Sequence, residues 1–109
     1  MRLKLTLILL LAAVLPGLAQ TGVKGILVDS QNGRPIPNAN ILLTDQQIFV
    51  MSGSDGSFQI TNAQVGKDVL HVIAYGYDDL YYDVDIIQNL VRDLGKLSME
   101  VSGYETSYL

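Results

Sequence analysis

The stretch GILVDSQNGRPIPNANILL, residues 25–43, decides the architecture. It holds two apolar runs that look built for burial, with Asn32, Gly33, Pro35 and Pro37 between them. Asn32-Gly33 supplies a position tolerant of positive φ, and the prolines keep the chain extended without offering a ladder donor. A rigid connection of this kind predicts a corner at the margin of a small β-sandwich. It contains no group suited to covalent chemistry.

Outward from this corner, apolar residues recur at spacings of two or in short blocks, and turn formers interrupt them every eight to twelve residues. The pattern predicts strands at about 23–29, 39–44, 48–51, 57–60, 69–75, 80–86 and 94–101. Seven short strands in one small domain suggest a sandwich. Asp55-Gly56 is placed as a tight hairpin turn before Phe58. The run 69–75 is nearly all β-branched, apolar or aromatic, as expected of a central strand covered on both faces. Gly76 ends it, and Tyr77 is expected to lay its ring over the sandwich end with its hydroxyl in water. In the following strand Tyr81, Asp83 and Asp85 share one side, opposite Tyr82, Val84 and Ile86. Residues 87–93 could form a helical turn.

Residues 1–19 combine a basic start at Arg2 and Lys4, an apolar run from Leu5 to Val14, and small residues at Gly17 and Ala19. This is the layout of a secretory signal peptide. The apolar run is well short of the roughly 20 residues that span a bilayer, so no membrane insertion of the mature chain is expected. Cleavage after Ala19 of the 109 residues would leave 90: a domain over 20–101 and a mobile tail over 102–109. Export to the periplasm or the outer membrane follows. The sequence has no cysteine, which excludes disulfides and thiolate metal sites and leaves the fold to packing alone.

Without Arg2 and Lys4, five basic residues face eleven acidic ones, a charge of −6 with His71 neutral. That balance excludes nucleic acid and anionic lipid as natural partners. The acidic residues concentrate at Asp78, Asp79, Asp83, Asp85 and Asp93, a solvated face that keeps sheet edges from pairing.

Several motifs occur in a fixed order: Gly25 and Asp29; Gly33, Pro35, Pro37 and Ala39; Asp55, Gly56 and Phe58; Gly76 and Tyr77; and Asp93, Leu94 and Gly95. Together they resemble the carboxypeptidase-regulatory-like domain over roughly residues 22–101. The resemblance implies a transthyretin-like, seven-stranded Greek-key β-sandwich in which these residues are structural. It also implies a non-catalytic accessory role. Domains of this kind stand first after the signal peptide in TonB-dependent outer-membrane receptors of Bacteroidetes-type bacteria. They also sit beside metallocarboxypeptidase catalytic domains and in surface proteins that handle glycans. Only SGYETSYL follows the last predicted strand here, so the chain is expected to be either a stand-alone module or the front end of a longer receptor. The implied partner is a protein of the cell envelope, an outer-membrane barrel or the transport machinery.

Catalysis would need a base, an orienting partner and a nucleophile or metal, whereas His71 is the single histidine and lies within a strand pattern. The transthyretin-like hydroxyisourate hydrolases, similar in fold, rely on several histidines and a C-terminal tetrapeptide that this chain lacks. No metal-ligand spacing and no cofactor motif is present. The six tyrosines open one alternative, a carbohydrate-binding module with Tyr77 and Tyr81 as candidate glycan contacts.

Overall fold

In the computed structural model, the structure describes residues 19–103. The leader up to residue 18 and the end of the tail, 104–109, lie outside the described residues.

Seven strands form in chain order: β1 Gly22–Asp29, β2 Asn40–Leu43, β3 Ile48–Met51, β4 Ser57–Ile60, β5 Gly66–Ile73, β6 Leu80–Ile86 and β7 Val91–Met99. They make two sheets, one ordered β4-β1-β7 and the other β3-β2-β5-β6. All pairings are antiparallel except β1 with β7, which run parallel. The chain crosses between the sheets four times, so each layer is completed by strands distant in sequence. The expected all-β sandwich is the observed one.

Alternation fills the interior. Val23 and Leu27 of β1, Ile41 and Leu43 of β2, Ile60 of β4, Leu70 and Val72 of β5, Ile86 of β6 and Met99 of β7 are wholly buried. Each such side chain contributes about 1.5–3 kcal/mol of burial, the main favourable term in a fold without disulfides.

The proline corner answers the question of where its backbone groups go. The Ile36 N–H reaches the Leu27 carbonyl at 3.0 Å, and the Asn38 N–H reaches the Ser52 carbonyl at 3.0 Å. The buried Ser52 hydroxyl donates to the Ile36 carbonyl at 2.7 Å and accepts from the Ala39 N–H at 2.9 Å. Pro35 and Pro37 thus alternate with residues whose N–H groups are used, while the Ile36 side chain is buried between them. Pro35 also forms an isolated bridge with Val28.

Four details differ from the sequence expectations. Asp55-Gly56 does form a tight turn, with the Gly53 N–H on the Ser57 carbonyl at 2.9 Å, but β3 and β4 belong to different sheets. The turn is a crossover, because the Gly56 carbonyl takes the Leu27 N–H at 2.8 Å and hands the chain to β1. Second, β5 is central in its sheet yet covered on one face only: Leu70 and Val72 point inward, while Ile73 is 44% exposed. β-Branched residues suit an exposed pleat as well as a buried one, so composition alone could not separate the cases. Third, residues 87–93 hold a turn at Gln88–Asn89 with Asn89 at φ 60°, and β7 already begins at Val91. Fourth, the Tyr77 hydroxyl is bonded within the protein, as described next.

Candidate functional site

Asp29 ends β1 and is buried, and its carboxylate organises the end of the sandwich. Oδ1 accepts from the Gln31 N–H at 2.8 Å and the Asn32 N–H at 3.3 Å, and Oδ2 accepts from the Tyr77 hydroxyl at 2.7 Å. The Gly33 N–H returns to the Asp29 carbonyl at 2.8 Å with Gly33 at φ 72°. The Tyr77 hydroxyl first, then the Gln31 N–H, hold the Asp29 carboxyl below the usual carboxylate range despite its burial. The same bond, helped by desolvation and the carboxylate charge, raises the Tyr77 hydroxyl above its ordinary value. Asp29 and Tyr77 therefore lock the first corner to the β5–β6 turn, whose tightness shows in the Tyr77 N–H on the Ala74 carbonyl at 3.1 Å and in Gly76 at φ 84°.

The remaining motif residues are also structural. Gly25 faces Phe58 across β1–β4, where an added Cβ would stand 3.0 Å from the Phe58 ring. On its other side Lys24 pairs with Asp93 and Ile26 with Lys96, so β7 carries one extra residue. That is a β-bulge at Leu94-Gly95, stabilised by the Asp93 carboxylate accepting the Gly95 N–H at 2.9 Å. Asp55 accepts from the Ser57 hydroxyl at 2.6 Å and the Ser57 N–H at 3.0 Å, which lowers its carboxyl in that order. Ala39 packs in the core, and Pro37 is exposed beside it.

On the outer face of the four-stranded sheet, Phe49, Leu42, His71 and Tyr81 lie in one cross-strand row. Phe49 and Tyr81 are largely exposed. The Tyr81 ring stacks on His71 with centroids 4.3 Å apart, and His71 Nε2 meets Asp79 Oδ2 at 2.9 Å. The histidine is thus a surface-facing, hydrogen-bonded imidazole with one ring face covered. Of the two candidate glycan contacts, Tyr81 presents its ring to solvent, whereas Tyr77 packs against the core with its hydroxyl committed to Asp29. Among the described residues, no three carboxylate, imidazole or thiol groups are placed to hold a metal ion.

The two flanks of the sandwich differ. On one, β3 and β4 approach each other across the layers. On the other, the edge strands β6 and β7 stand apart, and a cleft of about 480 Å³ opens between them. Past β7 the chain closes the upper end: Val101 bridges Tyr77, and the Asp78 N–H reaches the Glu100 carbonyl at 2.8 Å. Below that closure, β6 and β7 pair on one side only, with β5 and β1 respectively. Val84 and Leu94 give the cleft apolar walls, the buried Asp68 also lines it, and Arg92 Nη1 donates to the Asp85 carbonyl at 3.3 Å, both residues being part of the lining. Sequence reasoning missed Asp68, although its inward phase with Leu70 and Val72 was available from alternation along β5.

Comparison with known proteins agrees with this geometry. Residues 23–106 match the family model of the CarboxypepD_reg-like domain. No curated protein matches the sequence. Among solved structures, a streptococcal ancillary pilin is similar over 79% of this chain and 30% of its own, with 16% identity and a TM-score of 0.53. A 9R-lipoxygenase from Cyanothece PCC8801 is similar over 73% of this chain and 16% of its own, at 16% identity and a TM-score of 0.46, too low to bear on the fold. The chain therefore spans less than a third of either structure, and the pilin likeness concerns the fold alone. With the family match covering most of the sequence and the motif residues all serving corners, bulge and lock, the chain belongs to the CarboxypepD_reg-like domain family.

Proposed function

We propose that the chain is a non-catalytic interaction module of the cell envelope, exported by its leader and similar in role to the periplasmic N-terminal domain of TonB-dependent receptors. The observation that carries this reading is the open flank: two long edge strands, β6 and β7, with pairing capacity to spare beside a cleft. Edges of this kind take up an extended partner segment by backbone hydrogen bonds, with specificity from alternate side chains. The motif residues are spent on structure, which fits a module whose surface acts through binding. Expression of the tagged full-length chain, followed by envelope fractionation and chemical cross-linking, should trap an envelope protein such as an outer-membrane barrel or its transport partner. Recovery of the chain in the cytoplasm, or free of any cross-linked protein, would refute the reading.

Tyr81 alone favours a second reading, carbohydrate binding, because its exposed ring on the outer sheet face is available to stack on a sugar. Glycan-array binding that Tyr81→Ala abolishes and Tyr77→Phe leaves intact would support it.

A further inference from the structure

β1 runs from Gly22 to the Asp29 lock, so its start marks the opposite end of the sandwich, where the leader joins the domain. There the chain is fixed from Thr21 onward. The Ala63 N–H donates to the Thr21 carbonyl at 3.1 Å, the Asn89 N–H to the Thr21 hydroxyl at 2.9 Å, and the Gly22 N–H to the Leu90 carbonyl at 3.0 Å. Ala19 and Gln20, immediately before, are exposed, and Gln20 makes no hydrogen bond among the described residues.

We propose that Gln20, once the leader is cut, is converted to pyroglutamate, so that the mature chain begins with a neutral lactam. This inference rests on reading the chain as exported, with cleavage after Ala19, and names a modification that follows from it. The small residues Gly17 and Ala19 precede the cut in the pattern a signal peptidase takes. The bond to be cut lies just ahead of the first anchored residue and is exposed on both sides, so a protease reaches it without opening the domain.

Cleavage leaves an α-amine on a residue whose own side-chain amide is its nearest electrophile. The α-nitrogen attacks Cδ, and the new N–Cδ bond replaces the Cδ–Nε2 bond. Nε2 leaves as ammonia with the proton that the amine gives up, so the step needs no oxidant, reductant or co-reactant. An α-amine titrates at about 8, and about a tenth of it is therefore the neutral nucleophile at pH 7. Nucleophile and carbonyl belong to one residue, which removes the entropy of bringing them together.

The surroundings suit the product. Ala19 and Gln20 border an open cleft of about 750 Å³, and the side chains of Asn62, Gln64, Gln88 and Asn89 line it. No charged residue is part of that lining, so an ammonium there finds no carboxylate to pair with. A lactam, with one N–H and one carbonyl, meets amides that both accept and donate. Because Gln20 is tied to no partner, its side chain is free to turn back on the amine.

The test expresses the full-length chain, leader included and tagged at its C-terminus, recovers it from the envelope fraction and weighs it intact by mass spectrometry. The expected species starts at Gln20, is lighter than its sequence by one ammonia, is blocked to Edman degradation and resists an aminopeptidase. Gln20→Ala should be cut at the same bond, keep its full mass and lose its first residue to the aminopeptidase. A wild-type chain that starts at Gln20 with its full mass would overturn the proposal and leave export standing. A chain cut at any other bond would overturn it as well, and one that retains Met1 would remove the export reading with it.

Discussion

Replacing Ser52 by Ala tests how the proline corner is held. Ser52 is buried, and its hydroxyl donates to the Ile36 carbonyl at 2.7 Å and accepts from the Ala39 N–H at 2.9 Å. Ile36 is 4% exposed and Ala39 fully buried, so water cannot replace the lost hydroxyl without opening the corner. Two buried backbone groups stripped of partners cost about 1–3 kcal/mol each, giving about 2–6 kcal/mol together. Against a total of roughly 0.05–0.15 kcal/mol per residue, that is a large share of the stability of a domain this small. At about 4–8 °C per kcal/mol, the melting temperature should fall by at least about 8 °C. Urea unfolding followed by far-ultraviolet circular dichroism should show a lower midpoint at an unchanged slope. Ser54→Ala, in the exposed turn that follows, serves as control and should stay within about 0.5 kcal/mol of wild type. A Ser52→Ala protein as stable as that control would refute the account of the corner.

Two further perturbations address the lock and the crossover. The folded state holds the Asp29 carboxyl below its unfolded value of about 4, so its contribution is complete above that value and is lost as pH falls through the lower folded one. The Tyr77 hydroxyl is raised above its unfolded value of about 10, so its share is complete below that and is lost as pH rises through the higher folded one. Tyr77→Phe should therefore flatten both limbs of melting temperature against pH, and an unchanged profile would contradict the lock. Gly56 has φ 79°, and an added Cβ would stand 2.4 Å from the Leu27 carbonyl oxygen, whereas Gly33, at φ 72°, has nothing within 4 Å. Gly33→Ala should cost about 1–2 kcal/mol for the left-handed backbone, and Gly56→Ala clearly more, as read from urea midpoints. Equal losses would mean the crossover relaxes around the new methyl.

The strands were legible because alternation and turn residues agree along most of the chain. Ile48–Met51, Ser57–Ile60 and Leu80–Ile86 fall where their patterns place them. Partnership between strands was not legible: Asp55-Gly56 reads as a hairpin in any local window, and only the contact of Gly56 with Leu27, far back in the chain, makes it a crossover. Asp93-Leu94-Gly95 was recognisable as a motif, but its meaning as a bulge in a parallel pairing depends on β1. The Tyr77 hydroxyl was expected in water because no local residue bonds it. Its acceptor, Asp29, lies 48 residues earlier. Asp68 went unnoticed between Lys67 and Val69, since a single carboxylate in a strand gains significance only once its burial and its donors from residues 44 and 45 are known.

The central claim, that the β6–β7 flank is the working surface, is tested most directly by site-specific photo-cross-linking in cells. Photoreactive residues at Asp83 and Arg92 would report on that flank, and others at Phe49 and Gln59 would report on β3 and β4. The account predicts adducts with an envelope protein from Asp83 and Arg92 and none from Phe49 or Gln59; adducts from Phe49 or Gln59 alone would contradict it.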